Sequence, residues 1–238
     1  MTINNPYHQI TEQTLTGEPL VIIIGGLLIN DYPLRGIMEH FPHHRFIDIN
    51  NNDYNQIKIT LQTLTVNKQR QCVLVGYSTG GLIILKLLSE TSLNIDKIIL
   101  LNSTPYFLAD GHGQGIKRPD FEKLKLRLIK QPFADFCSYF HQLCFYPQLL
   151  PKQTICTPSA TTDTTQYWLD FLQHHDLRNV LAGVTQPTLL LYSELDVISQ
   201  VNHFNDNRQL RVRILNDSTH GYPNQTKLLN YITEFLNA

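Results

Sequence analysis

The sequence predicts an α/β domain built on a mostly parallel, doubly wound sheet, with a helical segment inserted between two of the strands. Three observations predict it. Short β-branched or leucine-rich runs recur along the chain, stretches of helical periodicity separate them, and the alternation breaks once, between residues 106 and 183. Parallel sheets carry helices on both faces, so their strands read as continuous apolar runs rather than alternating ones. Strand and helix patterns in alternation mark such a sheet.

Six runs fit buried strands: residues 20–24, 45–49, 72–75, 97–101, 188–192 and 211–215. Each is bounded by polar or turn residues, and each is expected to be covered on both faces. Between them, residues 53–64 are weakly amphipathic, and residues 81–89 are apolar almost all round, which sets a helix there against the sheet. Residues 224–236 place Leu228, Leu229, Ile232 and Leu236 at helical spacing and close the domain. The interrupting stretch carries helical patterns at 120–130, 132–145 and 161–175, separated by Pro147, Pro151 and Pro158 and without a strand run. A helical insertion between sheet strands makes a cap over the strand ends, where ligands bind in open α/β sheets. The expected organisation is a core of residues 1–105 and 184–238 and a cap of residues 106–183.

Composition narrows the partners. The 238 residues suit one domain of this class, which runs to about 200–250 residues. With 42% apolar and 16% charged residues the chain is globular in composition. A net charge of −1 sets up no overall field toward nucleic acid or a membrane, so neither is an expected partner. The cysteines Cys72, Cys137, Cys144 and Cys156 follow no CxxC spacing, and a chain of this length needs no disulfide to hold its core; reduced thiols are expected. Residues 1–16 lack the basic-then-apolar order of a secretory signal, and the apolar runs fall far short of the roughly 20 residues that span a bilayer. A cytoplasmic, monomeric protein is expected.

The chemistry-bearing motif is Gly76-Tyr77-Ser78-Thr79-Gly80-Gly81, which follows the third strand and opens the apolar helix. This is G-x-S-x-G in the strand–turn–helix context it needs. A nucleophilic serine must stand on a sharp turn so that its Oγ clears the sheet, and the flanking glycines let neighbouring backbone approach. The helix N-terminus directly behind it offers N–H groups and a positive dipole end to a developing oxyanion.

A serine hydroxyl is a weak nucleophile until a base takes its proton. In the α/β-hydrolase fold the acid and base follow in the order Ser, Asp/Glu, His. The fifth strand runs into Ser193-Glu194-Leu195-Asp196, and the sixth into Asn216-Asp217-Ser218-Thr219-His220-Gly221. Ser78 is therefore the expected nucleophile, His220 the general base and then acid, and Asp196 the orienting carboxylate, with Glu194 and Asp217 as alternative carboxylates. A second oxyanion donor comes from the loop after an early strand. The run Val21–Ile24 leads into Gly25-Gly26-Leu27-Leu28, so the N–H groups of Leu27 and Thr79 are the expected oxyanion hole. His43-His44 and His174-His175 lack metal spacing such as HExxH, and no metal or cofactor is expected. His112, in Gly-His-Gly-Gln-Gly, lacks the Gly-Lys-Ser/Thr ending of a phosphate loop and reads as a flexible lead into the cap.

With these residues in place the chain resembles the pimeloyl-[acyl-carrier-protein] methyl ester carboxylesterases, the BioH type. The elbow Gly-Tyr-Ser-Thr-Gly-Gly is similar to the family's Gly-Trp-Ser-Leu-Gly-Gly, and Gly115-Ile116-Lys117-Arg118-Pro119-Asp120 to its Gly-Ile-Lys-Pro-Asp with one residue inserted. Phe133 and Phe140 keep the spacing of two cap phenylalanines, the second of which lines the family's acyl pocket. The chain departs from the family at the oxyanion loop, Gly25-Gly26-Leu27 for His-Gly-Trp, and at His220-Gly221-Tyr222-Pro223 for His-Ala-Pro-Phe. The resemblance implies an α/β-hydrolase fold, binding of an acyl ester by Leu27, Ser78, Thr79 and Phe140, and removal of the methyl group from pimeloyl-carrier-protein ester in biotin synthesis.

A cap segment fits that partner independently. Residues 117–130 carry Lys117, Arg118, Lys123, Lys125, Arg127 and Lys130 against Asp120 and Glu122, a local positive excess suited to an acidic carrier protein. Phe136, Tyr139, Trp168 and Phe171 are candidates for an acyl tunnel or for cap core. The competing readings are a broad esterase or thioesterase, a menaquinone-pathway lyase on the same fold, and a non-catalytic hydrolase-fold binding protein.

Overall fold

A computed structural model describes residues 19–29, 31–66, 70–109, 115–149, 159–199, 207–221 and 224–238. Elements follow in the order β1 (Leu20–Ile24), α1 (Arg35–His40), β2 (His44–Ile47), α2 (Tyr54–Val66), β3 (Cys72–Tyr77), α3 (Thr79–Glu90) and β4 (Lys97–Leu101). Then come α4 (Arg118–Lys130), α5 (Phe133–Phe145), α6 (Thr162–His174), α7 (Arg178–Ala182), β5 (Thr188–Ser193), β6 (Leu210–Leu215) and α8 (Gln225–Asn237). The strands form one six-stranded sheet in the order β2-β1-β3-β4-β5-β6, and every pairing is parallel.

Successive strand residues point to opposite faces, so a strand buried at every position is covered on both. Strands β3 and β5 are buried throughout, and β1 and β4 at all but their first residue. The expectation of two covered faces fails at the sheet edges. In β2 only Ile47 is buried and in β6 only Leu215, because an edge strand has a neighbour on one side and its outer rim meets solvent. The arginines of β6 use that exposure: Arg211 and Arg213 lie over the rings of Phe235 and Tyr231 on α8.

Helix α3 buries eight of its twelve residues, as a helix apolar almost all round requires. Helix α8 is capped by Asn224, whose side chain accepts from the Lys227 N–H at 3.1 Å, and it buries Leu228, Ile232 and Phe235. Two short helices escaped the sequence reading. α1 and α7 have six and five residues, too few for periodicity to show.

Helices α4, α5 and α6 lie between β4 and β5 in sequence. The two ends of this insertion meet: Tyr106 bridges to Asp176, and the Leu177 N–H donates to the Pro105 carbonyl at 2.8 Å. Trp168 of α6 is fully buried and its indole N–H donates to the Ile49 carbonyl at 2.8 Å, tying the insertion to the turn after β2. Pro151, Pro158, Cys156, the stretch 1–16, His112 with its flanking glycines, and Tyr222-Pro223 lie outside the described residues.

Candidate active site

The chain passes from β1 to β2 on one side and returns to place β3 on the other side of β1. A crevice opens at such a reversal, beyond the carboxyl ends of the strands. Two turns flank it, Gly25-Gly26-Leu27 after β1 and Ser78 after β3, brought level by the Ile24–Gly76 pairing.

Ser78 has φ 52° and ψ −120°, a conformation that costs a non-glycine residue on the order of 1–3 kcal/mol. Surrounding bonds hold it there. Its N–H donates to the Leu101 carbonyl at 2.9 Å and its carbonyl accepts from the Gly81 N–H at 3.0 Å. Gly80 lies directly against the carbonyls of Ile24 and Gly25, where any Cβ would collide, so α3 begins in contact with the end of β1.

His220 Nε2 lies 2.9 Å from Ser78 Oγ, and its Nδ1 lies 2.7 Å from Asp196 Oδ2. The other carboxylate oxygen, Oδ1, accepts from the Ile198 and Ser199 N–H groups at 2.7 and 2.9 Å. With Asp196 as acceptor, the imidazole carries its proton on Nδ1, and the Nε2 lone pair faces the Ser78 hydroxyl. His220 is 1% exposed and Asp196 5%, so the pair interacts in a dry, low-dielectric setting. Glu194 and Asp217, the alternative acids, are both exposed, and Glu194 accepts from the Asp217 N–H at 3.3 Å.

The loop after β1 comes up against Ser78. A Cβ on Gly26 would sit 2.9 Å from the Tyr77 ring and 3.2 Å from the Ser78 Cβ. Only glycine allows Leu27 to follow so close to the serine. Thr79 is the first residue of α3, where N–H groups lack an intrahelical acceptor. Among the described residues, neither the Leu27 nor the Thr79 N–H has a protein acceptor.

Three residues that sequence reasoning passed over hold this arrangement. The Tyr77 hydroxyl donates to the His220 carbonyl at 2.7 Å, and burial keeps its phenol well above the usual range, hence protonated. Asn102, in left-handed backbone at the end of β4, donates to that same carbonyl at 3.0 Å. His141 of α5 reaches the loop after β1, with Nε2 2.6 Å from the Leu28 carbonyl. A polar residue closing an apolar strand was the one available signal for Asn102; nothing local to the sequence marks the other two.

The remaining predicted residues divide. Phe140 is buried on α5, its ring stacked 6.3 Å from that of Phe136. Lys117, Arg118, Lys123, Arg127 and Lys130 are exposed on or just before α4. Lys125 is half-buried, bonded to Asp170 and Gln173 at 2.8 Å; Lys123 pairs with Asp120 at 2.9 Å, and Arg127 lies 4.2 Å over the Tyr139 ring. Cys72, Cys137 and Cys144 are buried. Among the described residues, no cluster of three His, Cys, Asp or Glu side chains could hold a metal, and no helix is long and apolar enough to cross a membrane.

Sheet order, serine turn and inserted helices define the α/β-hydrolase fold. Over 134 residues the chain is 29% identical to a pimeloyl-[acyl-carrier protein] methyl ester esterase of Pectobacterium atrosepticum, covering 53% of this chain and 52% of that protein. Several of its relatives carry that name, in keeping with the resemblance read from the motifs, though the match spans only about half the length of the Pectobacterium protein. A full-length relative, the AB hydrolase superfamily protein YisY of Bacillus subtilis, is 24% identical over 93% of this chain and 92% of its own. Among solved structures, an esterase from Exiguobacterium antarcticum superposes with a TM-score of 0.77 at 20% identity, covering 93% and 92% of the two chains. No protein-family model matches the chain.

Proposed function

We propose that the protein is a serine carboxylesterase that removes the methyl group from pimeloyl-[acyl-carrier protein] methyl ester, a reaction of biotin synthesis. The observation that carries the proposal is the unbroken hydrogen-bond chain from Ser78 Oγ through the His220 ring to Asp196.

The reaction follows from that chain. His220 Nε2 takes the Ser78 proton as Oγ attacks the ester carbonyl, and the imidazolium is stabilised by the Asp196 carboxylate. The oxyanion is received by the N–H groups of Leu27 and Thr79, which are rigid and need no reorganisation as charge develops. Collapse expels methanol, which takes its proton from His220 Nε2, and leaves an acyl-Ser78 ester. Water, deprotonated by the same nitrogen, attacks that ester; the free acid departs and Oγ regains its proton.

Residues 106–183 act as a cap on the core of 1–105 and 184–238, and Phe140 bounds the acyl chain. Leu27, smaller than the tryptophan of the resembled family, leaves a wider wall beside the ester and favours tolerance of other esters. The exposed cations of residues 117–130 receive the acidic carrier in a cytoplasmic, monomeric enzyme.

The test is turnover of dicarboxylate monomethyl esters of graded length, free and carrier-bound. The proposal expects a pimeloyl optimum and a preference for the carrier-bound ester that fades with added salt. Equal rates on free and bound esters of every length would leave only a broad esterase. Absence of Ser78 labelling by a fluorophosphonate in folded protein would remove the serine mechanism itself.

A further inference from the structure

Helix α5 touches both halves of the site. At one turn, the His141 ring, 5% exposed, has Nε2 2.6 Å from the Leu28 carbonyl. One turn later, the Cys144 carbonyl accepts from the Gly221 N–H at 2.8 Å, and the Phe145 ring fills the space where a Gly221 Cβ would stand. Just beyond the helix, Gln148 Nε2 donates to the Asp217 carbonyl at 2.9 Å. One helix thus binds the residue directly after Leu27 and the residue directly after His220.

The contact at Leu28 is the informative one. Leu28 has φ 56°, a left-handed conformation that costs a non-glycine residue roughly 1–2 kcal/mol. It persists because both of its backbone polar groups are held. Its N–H donates to Asn50 Oδ1 at 2.9 Å, and its carbonyl faces His141. A carbonyl only accepts, so the neutral imidazole carries its proton on Nε2. Releasing one of these bonds frees Leu28 to relax toward ordinary backbone angles; that rotation turns the Leu27–Leu28 peptide and, through the Leu27 Cα, shifts the Gly26–Leu27 peptide that bears the Leu27 N–H.

We propose that α5 is a fixed brace of the catalytic machinery, and that His141 is a positioning residue which aims the Leu27 N–H into the oxyanion hole by holding the Leu28 carbonyl. The proposal rests on the esterase reading above. His141 touches no reacting atom; it acts through the loop after β1.

The test uses the full chain with p-nitrophenyl acetate, a short ester that asks little of an acyl pocket. His141→Phe fills the same space without a donor, and His141→Gln restores an N–H that reaches the carbonyl. Leu128→Ala, a buried position on α4, controls for a loosened cap. The expected result is a fall in kcat of about 10- to 100-fold for His141→Phe with KM changed less than about 3-fold, since an ångström of misplacement costs that order of rate. His141→Gln recovers to within about 3-fold of wild type, while Leu128→Ala lowers the melting temperature and leaves kcat alone.

A His141→Phe enzyme with wild-type kcat overturns the proposal, as does a loss of rate that Gln does not recover or that Leu128→Ala reproduces. If the phenylalanine variant does not fold, His141→Asn, whose shorter amide stops short of Leu28, replaces it with the same outcomes. Failure of the esterase reading shows separately, as wild-type turnover that Ser78→Ala leaves unchanged, and it takes this proposal with it.

Discussion

Asn102 and Ser193 exchange two hydrogen bonds. The Asn102 amide donates to Ser193 Oγ at 2.9 Å, and the Ser193 N–H returns one to Asn102 Oδ1 at 2.8 Å. The amide also reaches the Thr219 and His220 carbonyls at 3.3 and 3.0 Å. One fully buried side chain at the end of β4 thereby joins the end of β5, which leads to Asp196, to the loop that carries His220.

Removing that side chain strands buried groups on two loops. Asn102→Ala is expected to cost about 1–3 kcal/mol in urea unfolding. Asn102→Asp keeps the acceptor for the Ser193 N–H but loses the amide donors to the Thr219 and His220 carbonyls, so it is expected to release the His220 loop. Its loss of kcat should exceed what its stability loss accounts for. Wild-type kcat in Asn102→Asp would show that the His220 loop holds itself.

Asp196→Asn tests the orienting carboxylate. The amide can present an N–H where the carboxylate accepts one, driving the imidazole proton to Nε2 and removing the base. The expected fall in kcat is on the order of 10⁴, with little change in fold by circular dichroism. Ser78→Ala is expected to lower kcat by roughly 10⁴–10⁶.

Gly26→Ala places a methyl group 2.9 Å from the Tyr77 ring and 3.2 Å from the Ser78 Cβ. The loop after β1 must move away from Ser78. The expected outcome is a destabilisation of about 1–3 kcal/mol and a larger loss of kcat than of substrate binding. Unaltered kinetics would indicate that Leu27 does not serve the oxyanion.

Glu90 gives a pH signature remote from the site. Its carboxylate is bonded to Lys86, Tyr54 and Lys58, and the Lys86 bond chiefly holds its pKa down to about 2 from an ordinary 4.5. In the unfolded chain the group takes up its proton first as pH falls. Its stabilisation is therefore complete above pH 4.5 and is lost as pH falls toward 2. The melting-temperature gap between wild type and Glu90→Gln should be level near neutrality and close across that acid window. High salt should shrink it, because the side chain is 31% exposed.

Charge reversal on the cap tests carrier docking. Lys117→Glu, Arg118→Glu and Lys130→Glu together should raise KM for a carrier-bound ester about 10-fold or more and leave a free methyl ester unaffected. Lys125→Glu is expected to act through stability instead, since Lys125 is bonded to Asp170 and Gln173.

What could be read from the sequence was local in origin. Strand runs such as 97–101 and 188–192 declare themselves because a strand covered on both faces must be apolar at every position. The Gly76–Gly81 turn declares itself because a strained serine flanked by glycines has few other uses. The placement of the loops that carry Asp196 and His220 was legible too, since topology puts both at the same sheet end in a known order. Tertiary structure alone decided which carboxylate turns toward His220. Glu194 and Asp196 are two residues apart, and only the fold leaves one exposed and buries the other against the imidazole. The bonds of Tyr77, Asn102 and His141 are likewise contacts across long sequence separations. No periodicity or motif encodes them, because they exist only once the strand ends and α5 have been packed side by side.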